Sequence, residues 1–287
     1  ATGAEWKASA WDSVNAPSTR LSTVANLRTI PFGTSAVSVT RVDVAAAGGV
    51  IGVGAEITSS SSLFRFIRAS DGATILQTTL AGGQPRIIAS GTTFFFCVVD
   101  SLATTILLSK FDPTTDADKT DLTAAFTVAT VSSYDLAARA SGSGFWVVRN
   151  STTPTTILRP FNSSGVAGSD ITGPNVLYDH VAIRETTTRV HLLSVLAAGT
   201  CELRSYTLAG ALSTGPTTIV ATSDRQPGIS DATTGGTEAV FITVEETATD
   251  NDVFRGIYNA TTHALISGGA GIPETFLGAK PVSGGTA

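Results

Sequence analysis

Ionic side chains recur at one place in the repeating pattern of this chain. They are Asp43 in TRVDVAA, Arg86 in QPRIIA, Asp135 in SYDLAA, Asp179 with His180 in LYDHVAI, Asp224 with Arg225 in SDRQPG, and Lys280 in GAKPV. Asp135 and Asp179 are 44 residues apart, and Asp179 and Asp224 are 45 apart. If such positions converge, three carboxylates face one another. Clustered carboxylates raise each other's pKa, and can then serve as acid and base or hold a cation. The competing reading is structural. An Asp ahead of a strand commonly bonds its own backbone in an Asx-type turn, and a repeated fold repeats that solution.

Other candidates are weaker. DPTTDAD offers Asp112, Asp116 and Asp118, and ETATDND offers Glu246, Asp250 and Asp252, but neither has the spacing of a calcium loop. His180, His191 and His263 form no zinc spacing, and no Cys lies near them in sequence. Ser143, in SGSGFW, lacks the strand-to-helix setting of a nucleophile elbow. Gly52-Val53-Gly54 sits inside an apolar run, which argues against a dinucleotide loop. Trp146 reads as core, whereas Trp6 and Trp11, in a polar stretch, are candidates for contact with a partner. Cys97 and Cys201 read as two small buried hydrophobes, and two cysteines make no disulfide framework. No cofactor or metal is called for by any motif.

The elements that must position these residues are strands. There are 44 Thr against 8 Glu, 4 Lys, 3 Gln and no Met, so the straight-chain helix formers are nearly missing. Thr, Val, Ile and Phe fit a pleated surface, while 28 Gly and 11 Pro supply turns. An all-β fold is expected. A pattern of large apolar residue, Arg, any residue, then aromatic or Ile recurs at Phe64–Ile67, Leu158–Phe161, Leu203–Tyr206 and Phe254–Ile257, with a variant at Leu108–Phe111. Successive copies step by 44, 50, 45 and 51 residues. Two apolar runs precede each copy, and a polar turn follows it. A weaker fourth run follows several of those turns.

Four short strands per unit of roughly 45–50 residues resemble the blades of a β-propeller. That resemblance implies units at 36–82, 83–132, 133–174, 175–222 and 223–276. Residues 1–35 would join a first-strand-like segment, 277–287, in a composite sixth blade. A five-bladed ring with free tails is the alternative, and a longer parent with more blades would end in the same way. The ionic positions would then ring the mouth of a central channel. The aspartate box of sialidases, the tryptophan-aspartate dipeptide and the kelch double glycine are all missing.

Charge and composition bound the function. The 287 residues carry 18 Lys+Arg and 23 Asp+Glu, net −5, which argues against a nucleic-acid backbone binder. No apolar run approaches the length of a membrane-spanning helix. The missing Met, even at position 1, suggests a processed product or an excised fragment. A Thr/Ser/Ala/Gly-rich, Lys-poor composition resembles bacteriophage virion or bacterial surface proteins, and implies an extracellular or virion location. The expected function is a non-enzymatic interaction module that contacts other chains of an assembly or a host glycan. The alternative is a glycan-processing enzyme using Asp135, Asp179 and Asp224.

Overall fold

The computed structural model describes residues 39, 41–122, 126–127, 130–153, 155–221, 223, 227–246 and 252–272. All lie in one compact unit, Ser38–Ala287. Among the described residues there are only strands, turns and loops.

The strands form five successive antiparallel sheets. The first holds β1 (Arg41–Ala47), β2 (Val50–Thr58), β3 (Ser61–Arg68) and β4 (Thr74–Leu80). The second holds β5 (Gly83–Ser90), β6 (Thr93–Val99) and β7 (Thr105–Phe111), with its outermost strand in two pieces, β8 (Thr120–Asp121) and β9 (Phe126–Thr127). The third holds β10 (Val131–Ala138), β11 (Gly144–Ser151), β12 (Thr155–Asn162) and β13 (Ile171–Thr172). The fourth holds β14 (Tyr178–Glu185), β15 (Arg189–Leu196), β16 (Cys201–Thr207) and β17 (Leu212–Val220). The fifth holds β18 (Gly228–Thr234), β19 (Thr237–Glu246), β20 (Asp252–Asn259) and β21 (Leu265–Ile272). The first strands of neighbouring sheets pack beside one another, from β1 through β5, β10 and β14 to β18, and so form the inner wall. The expected composite sixth blade falls on segments outside the described residues.

The recurring Arg motif lies on the third strand of every sheet. Arg65, Arg159 and Arg204 of this motif tie their own sheets together. Arg65 donates to Gln77 of β4 at 2.9 Å, and Arg159 grips Asp170 with two bonds of 2.5 and 2.8 Å.

The second strands explain how the sheets stack. Every residue from Phe94 to Val99 is buried, as is every residue of β11. Side chains alternate across a strand, and here the alternate faces serve different cores. Phe94 and Phe96 pack with Phe64 and Phe66 of the first sheet, while Phe95 and Cys97 pack with Tyr134, Leu136 and Phe145 of the third. The pattern repeats one sheet on: Phe145 and Val147 face backward, and Trp146 and Val148 face Val181, Ile183 and Leu192 of the fourth sheet. Phe95 and Phe145 lie 4.2 Å apart between ring centres, and Phe145 stacks on Phe161 at 4.7 Å. A single small sheet cannot bury both faces, so stacking supplies the missing cover. Gly52 and Gly54 belong to this packing. A Cβ at Gly52 would stand 2.6 Å from Ile87 Cδ1, and one at Gly54 would stand 2.6 Å from the Phe64 ring.

Candidate functional site

Among the described residues, the ionic positions singled out by the repeat, Asp43, Arg86, Asp135, Asp179 and His180, lie within the first strands, not in the loops before them. Asp43 Oδ2 accepts 2.8 Å from the Ile87 N–H of the next sheet, and Oδ1 accepts 3.0 Å from Val44. Asp135 Oδ2 makes the matching contact with Ile183 N–H at 3.1 Å. Between them, at the corresponding place in β5, stands Arg86, whose Nε lies 3.4 Å from Asp135 Oδ1. Asp43, Arg86 and Asp135 thus form a band of alternating charge across three inner strands.

Burial sets the electrostatics of this band. The side chains keep only 15% exposure at Arg86 and 19% at Asp135. Desolvation pushes Asp135 up to about 6, although Arg86 and the backbone donors oppose it. Asp43 is raised for the same reason. For Arg86 burial works against the charge, but Asp135 and Asp43 outweigh it and hold the guanidinium above its ordinary pKa. Both carboxylates and the arginine are therefore committed to joining sheets.

Asp179 is placed differently. It is exposed, at a bulge between Tyr178 and His180. The residue of β14 that bonds Asp135 is Ile183, four positions further along, or about 13 Å of extended chain. The near-constant sequence spacing of Asp135 and Asp179 therefore does not bring them to one register position. His180 is half-buried beside the bulge. Asp224, Arg225, Lys280, Trp6 and Trp11 lie outside the described residues.

The weaker candidates resolve into local structure. Asp112 accepts from Thr114, Thr92 and Thr93, and its own N–H donates to Asp116 Oδ2 at 2.8 Å. Ser143 pairs with Ser141 at 2.7 Å in a hairpin. Trp146 is 1% exposed. Cys97 and Cys201 are free and buried, and burial raises both thiols. Among the described residues, no three His, Cys, Asp or Glu side chains gather as a metal ion requires. Among the described residues, no helix is long and apolar enough to cross a membrane.

A second set of polar residues meets at the other end of the inner strands. There, where β5, β10, β14 and β18 run towards their hairpins, four sheets enclose a recess of about 340 Å³. Its charged lining is Arg139, Arg184, Glu185, Asp231 and Glu238, with Thr186, Thr187 and Thr233 among its hydroxyls. Glu185, at the end of β14, is 3% exposed. Its Oε2 accepts from Arg139 Nε at 3.3 Å and from the Trp146 indole N–H. The Arg139 guanidinium rides over the Trp146 ring, 5.8 Å from its centre. Arg184 donates to Asp231 of the fifth sheet. Glu238 accepts from the Thr187 N–H and, at 2.8 Å, from the Thr188 hydroxyl. Burial works to raise Glu238, but these donors win and hold it below the usual carboxylate range.

These pairs leave hydrogen-bonding capacity over. Among the described residues, Glu185 Oε1 and Asp231 Oδ2 accept no hydrogen bond, and the terminal nitrogens of Arg139 donate none. A small polar molecule entering the recess would meet both acceptors and donors, carried on the ends of the first strands and the hairpins that follow them. Sequence reading missed the recess because its residues share no single repeat position. The available signal was the charge near the end of successive first strands: Arg139, Arg184-Glu185 and Asp231.

No family model matches the sequence, and no curated protein matches it. Solved structures do resemble it. The SapL1 lectin, determined in complex with α-methyl fucoside, superposes with a TM-score of 0.55 at 12% identity, over 81% of this chain and 80% of that one. AofleA from Arthrobotrys oligospora gives 0.55 at 10% identity, over 80% and 74%. The β-propeller domain of the Trilobed protease from Pyrococcus furiosus gives 0.50 at 9% identity, over 80% and 71%. Identities this low speak to architecture alone, and with the stacked four-stranded sheets they establish that the chain is a β-propeller.

Proposed function

We propose that this chain is a non-catalytic recognition propeller that binds carbohydrate in the recess at the ends of its first strands. The observation that carries the reading is the recess itself. It combines uncommitted carboxylate oxygens and guanidinium nitrogens with threonine hydroxyls, fixed by pairs that cross from sheet to sheet. Sugar hydroxyls donate and accept at once, and such mixed groups suit them. A volume near the lower end of small-molecule pockets, roughly 300–1,000 Å³, suits one or two sugar rings. The likeness to a lectin determined in complex with a fucoside supports the same direction.

The Thr/Ser/Ala/Gly-rich, Lys-poor composition supports a place outside the cell, on a virion tail or a cell surface. Its partners there would be other chains of that assembly and a host glycan. A glycan array probed with the full chain, followed by titration of each sugar bound, tests the proposal. Saturable binding, intact recovered sugar and at least tenfold weakening by Arg139→Ala are expected. An empty array, or binding unchanged in that variant, overturns it.

A further inference from the structure

The recess has a charge character of its own. Two guanidiniums, Arg139 and Arg184, face three carboxylates, Glu185, Asp231 and Glu238. Each guanidinium is already matched to a carboxylate across a sheet boundary: Arg139 with Glu185, and Arg184 with Asp231. The third carboxylate, Glu238, is held by a backbone N–H and a hydroxyl rather than by a cation. The lining therefore carries one net negative charge, in a chain whose net charge is −5.

An acidic ligand would have to compete with Glu185 or Asp231 for an arginine. Success would leave a displaced carboxylate beside Glu238. Like charges brought together in a partly enclosed site are costly. A neutral polyol meets no such obstacle. Its hydroxyls can donate to Asp231 Oδ2, on a side chain 59% exposed, or accept from the terminal nitrogens of Arg139, without disturbing either pair. Among the described residues, the recess also presents no aromatic platform, since Trp146 is buried beneath Arg139. Recognition must then come from hydrogen bonds to hydroxyl pairs.

Resting on the carbohydrate reading above, we infer that the recess selects uncharged sugars through adjacent hydroxyls and rejects uronates, sialic acids and sulfated sugars. Matched monosaccharides that differ only at C6 test this: glucose against glucuronate, and galactose against galacturonate. Each is titrated into the full chain by calorimetry or saturation-transfer NMR. At least one neutral sugar should bind tenfold or more tightly than its acid. Asp231→Asn, at a side chain 59% exposed and outside the buried core, removes one carboxylate and should narrow that ratio at least threefold. A uronate that binds as well as its neutral partner overturns the selectivity while leaving carbohydrate binding standing. Selectivity unchanged in Asp231→Asn also overturns it. Silence from all four sugars together with an empty glycan array removes both claims.

Discussion

His191 and His263 are joined through one hydroxyl group. Ser205 Oγ lies 2.7 Å from His191 Nδ1 and 2.5 Å from His263 Nε2. The outer nitrogens continue the chain: His191 Nε2 meets Thr186 Oγ1 at 3.0 Å, and His263 Nδ1 meets Thr217 Oγ1 at 3.0 Å. His263 comes from the turn before β21, so the link fastens the fifth sheet to the fourth. Neutral imidazoles satisfy every contact with one proton per bond.

Acid should loosen this fastening. Burial depresses His191 to about 3 and His263 to about 4, with Arg189 adding to both and Glu238 opposing at His191. An unfolded histidine titrates near 6.5, so between pH 6.5 and about 4 the unfolded chain binds protons that the folded chain refuses. The stability this pair contributes is complete above pH 6.5 and declines as pH falls through that window, by up to about 2.7 kcal/mol per pH unit for two groups. Asp135 and Asp43, whose pKa values are raised, slope the opposite way. Urea midpoints measured from pH 7 to 4 should fall, and His191→Asn with His263→Asn should flatten the profile. A profile equally steep in that double variant contradicts the assignment.

Arg86→Ala should cost about 2–3 kcal/mol, somewhat under the loss for a fully enclosed pair, because both partners keep slight exposure. Without the guanidinium, Asp135 should titrate above its present value of about 6. Asp135→Asn in the same background should recover part of the loss, and a double-mutant cycle read by denaturant unfolding measures the coupling.

Gly52→Val and Gly54→Val should each destabilise by about 1–3 kcal/mol, because the new atoms meet Ile87 or the Phe64 ring. Thermal unfolding checks this. A Val at Gly49, where an added Cβ meets nothing within 4 Å but φ is +76°, should act through backbone strain alone.

Neither thiol should react in the folded chain. Cys97 and Cys201 are buried, with pKa values raised by desolvation. A chromogenic thiol reagent should find none in buffer and two in guanidinium chloride.

The fold was legible because its signals are periodic. Phe64-Arg65-Phe66-Ile67 and its copies mark third strands, and runs such as FFFCVV mark second strands buried on both faces. The site was less so. Asp135 and Asp179 repeat in sequence but not in space, since a bulge at Tyr178/His180 and a longer hairpin after β10 shift the register. Spacing counts residues, whereas neighbours across two sheets are chosen by backbone bonds such as Ile183 N–H to Asp135. Arg139, Glu185 and Glu238 carry no shared motif, and only the hairpin ends of separate sheets bring them together.

The alternation along β6 and β11 has a consequence for how such a gene can change length. One extra codon within FFFCVV would send each following phenyl group to the opposite interior and spoil two layers at once. Insertions and deletions should therefore survive in the hairpins, or as the gain or loss of a whole repeat, but not inside a central strand.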